Sequence, residues 1–251
     1  GAFLLDLGAF TPLLYAFDDR EKILDLLEGI TGSRLTYSYL RIGGVCDDVD
    51  ESFVRGTRDF VKHMRPRLGM YRALVTDNVI FRVRLEGIGP ISAEMCRKYG
   101  ATGPVIRGSG VAYDVRRAEP YSVYPELDFE IPTFPESDCM ARYLVRMEEI
   151  AQSLRIVEQA LDRLPEGPVM GTVPRVLKPP QGDACFAVEA ARGRFLVRIV
   201  SEGKEIPYRV RLRTPSFANL SLYGEACEGM MLADALALMG SLDLVIPDID
   251  R

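Results

Sequence analysis

Asp6 is the residue whose surroundings raise the first chemical question. It is an acid in an apolar run with Phe3, Leu4, Leu5, Leu7 and Phe10. Burial raises a carboxyl's pKa unless a cation or hydrogen-bond donors stabilise its ionised form, and acids so placed are often functional. An Asp at a helix edge reaching water, or capping a backbone amide, has the same pattern. The sequence leaves both readings open. The single histidine, His63, stands near Lys62, Arg65 and Arg67. It reads as a solvated surface residue, which disfavours a Ser-His-Asp or Cys-His triad and hydrolysis by a standard nucleophile.

Cys46, Cys96, Cys139, Cys185 and Cys227 lie far apart with no CxxC pair. They predict buried thiols and a reducing compartment, with no disulfide scaffold and no self-contained zinc or iron–sulfur site. Gly108-Ser109-Gly110 is only superficially like a phosphate loop, because no clear strand and helix flank it. Around it, Arg107, Tyr113, Asp114, Arg116, Arg117, Tyr121 and Tyr124 fall within eighteen residues. They suit a polar network or partner-facing surface, or a solvated loop with packing tyrosines.

The elements that must position these groups follow from periodicity. Helix-compatible residues 1–16 contain Pro12, which marks a kink or a new start. Ile23, Leu24, Leu26, Leu27 and Ile30 predict a helix over 18–31, with Asp18 and Asp19 in its first turn and Gly32 as its stop. Gly43-Gly44 ends an irregular or extended link. A long helix is expected over 51–76, bent at Pro66. Residues 79–135, rich in Gly, Pro, Tyr and Arg, predict one short helix near 92–99 among ordered loops and short strand pieces. A helix over 137–163 with Asp138 as N-cap is the clearest element. Period-two alternation in 185–189, 194–200 and 208–213, with Arg192-Gly193 as a turn, predicts a small antiparallel sheet. A helix near 226–240 and an extended tail close the chain.

Composition narrows the classes. The 251 residues carry a net charge of −5, against a dedicated nucleic-acid binder, and can bury a core unaided. No stretch approaches the roughly 18 apolar residues of a membrane span. The apolar opening lacks the basic start of a signal peptide. It reads as the middle of an element, so the chain is expected to be an N-terminally trimmed form of a longer protein.

Several stretches in order resemble the hydrogenase-like, quinone-site (D-type) subunit of NADH:quinone oxidoreductase, or complex I. They include Leu5-Asp-Leu-Gly-Ala9, Arg20-Glu-Lys-Ile23, Thr31-Gly-Ser-Arg34, Arg41-Ile-Gly-Gly-Val45, Arg107-Gly-Ser-Gly110 and Asp138-Cys-Met-Ala-Arg-Tyr143. Pro207-Tyr-Arg209, Pro215-Ser-Phe217, Gly240-Ser-Leu-Asp243 and Asp250-Arg251 continue the series. The resemblance covers essentially the whole chain and matches the family's C-terminal two-thirds.

The resemblance implies an α+β fold of the nickel–iron hydrogenase large-subunit type, mainly helical with a small antiparallel sheet near the C-terminus. One domain over 1–251 is expected: a helical core over 1–167, a sheet over 183–225, and a helix and tail over 226–251. Hydrogenases hold their metals with two CxxC motifs, thiolate being a suitable soft ligand. Here Val245 and Asp248 occupy the second motif's cysteine positions, so hydrogen chemistry is disfavoured and no metal is expected.

The implied activity is quinone reduction by electrons from a cluster on a partner, coupled to proton pumping. Asp6 is the implied catalytic, charge-responsive residue, paired in the family with a histidine from the N-terminal part absent here. Phe17, Asp243, Val245 and Arg251 match chamber positions. Arg34, Arg41, Arg107, Tyr113 and Asp114 are expected to face the cluster or the partner. Thr36 stands where many relatives have a titratable histidine. Quinone is the implied substrate, and no cofactor is bound by this chain. The implied partners are the B-type iron–sulfur subunit and neighbouring C- and H-type subunits of complex I. The implied place is peripheral, on the cytoplasmic side of the inner membrane. The rival readings are a structural scaffold for the iron–sulfur subunit and a hydrogenase-type large subunit.

Overall fold

Pro12 starts the first long helix rather than kinking it. In the computed structural model, which describes residues 1–250, a short helix α1 (Ala2–Asp6) precedes α2 (Thr11–Thr31). Pro12 occupies the first turn of α2, where a missing N–H leaves no bond unmade. Gly32 ends α2 in the left-handed conformation, its N–H bonding the Glu28 carbonyl at 2.8 Å. The helix expected from residue 18 thus begins at Thr11, and Asp19 falls in its middle rather than its first turn.

A two-stranded ribbon, β1 (Leu40–Arg41) and β2 (Gly44–Val45), leads to α3 (Glu51–Tyr71). Asp50 caps α3 by accepting from the Phe53 amide at 2.7 Å. The helix passes through Pro66 and widens into one π turn at Arg72–Thr76.

Residues 79–135 differ from expectation. Besides the expected helix, α5 (Ala93–Tyr99), they contain α4 (Val79–Leu85), α6 (Pro104–Arg107) and α7 (Val115–Ala118), and the described residues contain no strand there. Caps account for three of these helices. Asn78, Ser92 and Asp114 each accept from amides of the first turn. Such short helices have too few residues for periodicity to register.

Helix α8 (Cys139–Asp162) follows with Asp138 as N-cap, as expected. Strands β3 (Gly182–Ala190), β4 (Gly193–Ser201) and β5 (Arg209–Arg213) form an antiparallel sheet in sequential order. After β5 come α9 (Pro215–Leu220), α10 (Tyr223–Ala226), α11 (Leu232–Leu242) and α12 (Ile246–Ile249). The expected extended tail is therefore partly helical. Thr214 Oγ donates to the Asp248 carbonyl at 2.5 Å and the Ser216 amide donates to the Asp248 carboxylate at 3.1 Å, pinning α12 to α9.

The main core joins Leu85 of α4, Cys96 of α5, Val105 of α6, Cys139 and Tyr143 of α8, and Leu238 and Leu242 of α11. Each fully buried leucine there contributes about 2 kcal/mol. A smaller core places Val61 and Met64 of α3 against Leu154 of α8. Cys96 and Cys139 are buried as expected, but Cys46 and Cys185 are exposed, which corrects the reading of all five as core thiols.

Candidate functional site

Helix α8 begins with a buried ionic anchor. Asp138 Oδ1 accepts from the Ala141 amide and Oδ2 from the Gly87 amide, both at 2.7 Å. One turn on, the Arg142 guanidinium is completely buried and touches no carboxylate. It donates to Ser241 Oγ, the Ser137 carbonyl and the Gly89 carbonyl, each at 2.9 Å. Burial lowers its pKa, while Cys139, whose Sγ accepts from Nη2 at 3.2 Å, and then Asp138 partly restore it. Through Ser241 this arginine fixes the C-terminal turn of α11, two residues before Asp243.

Asp243 caps α11 in the left-handed region at φ 54°. That conformation is uncommon for a side chain larger than glycine and is tolerated best by Asp and Asn. Arg192, in the β3–β4 turn, secures it. Its Nε donates to the Asp243 carbonyl at 2.7 Å and its Nη2 to the carboxylate at 3.1 Å.

The turn is brought there by glycine. A Cβ on Gly103, whose φ is +67°, would sit 2.2 Å from the Arg192 carbonyl oxygen, and one on Gly193 would sit 2.5 Å from the Gly103 nitrogen. Only two bare backbones can approach so closely. Thr102 completes the junction, its hydroxyl accepting from the Arg194 amide at 2.9 Å and its amide donating to Asn219 at 3.0 Å.

Helix α1 packs on α11 at the same end. A Cβ on Gly240 would lie 2.8 Å from the Phe3 ring and 3.5 Å from the Asp6 carboxylate. Asp6 is exposed in this chain and makes no ion pair among the described residues. The helix-edge reading of Asp6 therefore describes its immediate setting. Val245 is half-buried and begins the α12 turn. Asp6, Asp243 and Val245 thus belong to one end of the α1–α11 pair. Phe17 lies on α2, 47% exposed, with the Arg20 guanidinium 5.4 Å from its ring centre. Arg251 lies outside the described residues.

The residues expected to face the cluster or partner divide. Arg41 is exposed in the β1–β2 ribbon between Leu40 and Ile42, which are 82% and 69% exposed. Arg34 folds back onto α2, pairing with Glu21, with Asp25 at 2.9 Å and with Glu28 at 3.3 Å. Thr36 is exposed with φ 58°. Tyr113 is half-buried. Arg107 and Asp114 are each only 2% exposed, which corrects their expected place on a partner-facing surface. They belong to an internal network instead.

In that network Arg107 Nε lies 2.6 Å from Glu149, Nη1 2.9 Å from Glu189, and Nη1 3.6 Å from Asp114. Arg116 grips Asp114 in two places, at 2.9 Å and 2.6 Å. Burial would raise the Asp114 carboxyl, but Arg116 holds it below the usual range. Burial pushes Glu149 and Glu189 up, with Arg107 opposing in each case.

The reading of His63 as a solvated residue is also corrected. Its Nε2 lies 2.8 Å from Oδ1 of the buried Asp19. Asp19 Oδ2 accepts from Arg67 Nε at 2.9 Å and from the Tyr71 hydroxyl at 2.6 Å. The three partners are spaced four apart on α3 and so share one face. Burial would raise Asp19, but Tyr71, His63 and Arg67 together hold its carboxyl low. The regular spacing was visible in the sequence; the acid they meet on another helix was not.

An α+β chain with a mainly helical core, a late three-stranded sheet and an ionic clasp on its C-terminal end is the class of protein these features define. The family described as respiratory-chain NADH dehydrogenase, 49 Kd subunit, matches residues 6–181 and 172–251. The D-type NADH-quinone oxidoreductase subunit numbered 2 in Opitutus terrae is 73% identical over this whole chain and 63% of its own length. The D-type subunits of NADH-quinone oxidoreductase from Desulfotalea psychrophila and Syntrophobacter fumaroxidans are 61% and 54% identical, again over the whole chain and 68% of their own lengths. The chain belongs to this 49 Kd subunit family and spans about two-thirds of the curated relatives it matches. No helix among its described residues is long and apolar enough to cross a membrane.

Proposed function

We propose that this chain is the quinone-site part of the D-type subunit in a proton-pumping NADH–quinone oxidoreductase. Its relatives carry that enzyme's name over the full length of this chain. The observation that carries the site assignment is the shared end of α1 and α11. There Asp6 stands beside Gly240, and Asp243 is locked by Arg192.

In this reading Asp6, Phe17, Asp243, Val245 and Arg251 belong to the chamber wall, and the electron donor is an iron–sulfur cluster on a neighbouring B-type subunit. Further neighbours of the C and H types complete the surroundings. The complex sits peripherally on the cytoplasmic side of the inner membrane. Reducing a quinone takes two electrons and two protons, so the chamber needs acids that exchange protons near the headgroup. Asp6 supplies one such group, with its exposed face available to a residue from outside this chain. Asp243 supplies a second carboxylate, held by one Arg192 bond while a second fixes its own carbonyl. Thr36 cannot titrate, so the cluster potential should be independent of pH through that position.

The test is co-expression of the full-length protein with its cluster-bearing neighbour, followed by quinone-analogue binding. Weakened binding in Asp6→Ala and Asp243→Asn supports the chamber. A stable complex that binds no analogue would leave this protein as a scaffold and overturn the quinone reading.

A further inference from the structure

Arg194, Leu196 and Arg213 share one side of the late sheet. Leu196 of β4 stands opposite Arg213 of β5, and Arg194 lies two residues from Leu196, so all three side chains leave the same face. That face, with α5, α6 and α9, encloses a cavity of about 290 Å³. Cys96, Ile106 and Ala218 are buried and make part of its wall apolar. Its charged lining is Arg97, Arg194 and Arg213, with Tyr113 beside them and no carboxylate among the lining residues. The chain as a whole carries a net charge of −5, so three arginines around one cavity are not a general property of its surface.

These guanidinium groups are poorly compensated. Arg97 is exposed, and its side chain makes no hydrogen bond or ion pair among the described residues. Arg213 reaches only the Gly100 carbonyl, at 3.4 Å. Arg194 Nη2 pairs with Glu119 at 2.9 Å and 3.2 Å, while its Nε is buried with no hydrogen-bond partner. A cationic N–H without an acceptor is costly to bury, so turning that guanidinium toward a ligand sacrifices nothing at Nε. One acid, Glu119, against three arginines leaves two positive charges unpaired. The hydroxyl of the half-buried Tyr113 also has no hydrogen bond among the described residues.

The backbone holds two of the arginines in place. Thr102 Oγ accepts from the Arg194 amide at 2.9 Å, which fixes the start of β4 against the 100–102 turn. A Cβ on Gly100, whose φ is +66°, would lie 2.4 Å from Arg213 Nη2, so the missing side chain is what lets the guanidinium rest on that turn.

We propose that this cavity binds a phosphate monoester carrying a short apolar body. Such an ester bears close to two negative charges at neutral pH, matching the two unpaired guanidinium groups. The planar fork of arginine suits phosphate oxygens, and the Tyr113 hydroxyl donates to one of them. The apolar body lies against Ile106, Leu196 and Ala218. A cavity of about 290 Å³ is at the small end for ligand sites, so the body is a single ring or a short chain. Asp6, Phe17, Asp243 and Val245 do not line it, and the inference does not rest on the quinone reading.

The test is calorimetric titration of phenyl phosphate into the full-length protein co-purified with its cluster-bearing neighbour. Saturable binding at one site is expected, weakened about tenfold in Arg194→Gln and in Arg213→Gln. Arg198→Gln should leave it unchanged, because Arg198 lies on the same face of β4 but outside the cavity and is paired with Asp183. Inorganic phosphate, without the ring, and benzoate, with one charge, should both bind more weakly than phenyl phosphate. Binding unaltered in Arg213→Gln, or lost equally in Arg198→Gln, would overturn the proposal, the second by showing diffuse attraction to a basic surface. Benzoate binding as tightly as phenyl phosphate would overturn the phosphate assignment. Absence of binding, as when an acidic side chain of the neighbour fills the cavity, would overturn the site.

Discussion

Two ionic sites in this chain are built on opposite balances. Between α2 and α3, one buried carboxylate, Asp19, meets three donors from His63, Arg67 and Tyr71. Between α6, α8 and β3, three carboxylates share Arg107 and Arg116. The first site has donors in surplus, so its acid stays ionised and works as a clamp. The second has more carboxylates than guanidinium groups in contact, and burial pushes two of its acids, Glu149 and Glu189, up. Burial is similar in both; the ratio of donors to acceptors decides the chemistry.

The comparison breaks first at Arg107. Arg107→Met should destabilise the chain by about 3–5 kcal/mol, because it strands Glu149 and Glu189 without their cation. Chemical denaturation reads this directly, and a loss below about 1 kcal/mol would mean that the network is already neutral without it.

Asp19→Ala comes next. It removes an ionised acceptor from three donors at once, and about 2–3 kcal/mol of stability should go with it. The pH dependence sharpens the contrast. The Asp19 carboxyl is held below its ordinary value, so its contribution is fully present above the unfolded carboxyl range of about 3.9 and is lost as pH falls through the lower, folded pKa. Glu149 and Glu189 are raised, so their effect has the opposite sign: stability falls as pH rises from the unfolded value toward the folded one. Stability measured against pH should therefore have a shallower acid limb in Asp19→Asn and a shallower upper slope in Glu149→Gln, with Asp114 and Glu189 keeping their shares. An unchanged acid limb in Asp19→Asn would remove the clamp from the comparison.

Gly103→Ala tests how the hairpin couples the second site to α11. The new Cβ would press on the Arg192 carbonyl, and overpacking of this kind costs about 1–3 kcal/mol. The Arg192–Asp243 bonds should loosen with it, visible as faster amide exchange at the end of α11. Exchange there unchanged would show that the clasp does not depend on the close approach. Asp138→Ala should have the smallest effect, about 1 kcal/mol for the lost cap, with the Gly87 amide left unpaired as a second small loss.

Legibility followed the range of the interaction. The β3–β4–β5 sheet was readable because alternation and the Arg192-Gly193 turn are local signals, and α8 because its stripe and its Asp138 cap lie within one segment. The short helices of 79–135 were not, since four residues such as Pro104–Arg107 contain no period. Asp6 drew notice for its apolar neighbours, yet a helix end can turn one side chain outward whatever surrounds it in sequence. Asp19 drew it only as a first-turn acid and Glu149 not at all, because an acid on a helix normally reads as solvated.

By itself the sequence determined the family, the fold class, the alternation of the sheet and the Asp138 and Gly32 caps, all properties of contiguous residues. The tertiary structure alone decided which charges lost their water. Arg107 meets Glu189 across 82 positions and His63 meets Asp19 across 44. Desolvation and charge balance depend on what packing brings together, and one-dimensional spacing carries no measure of either.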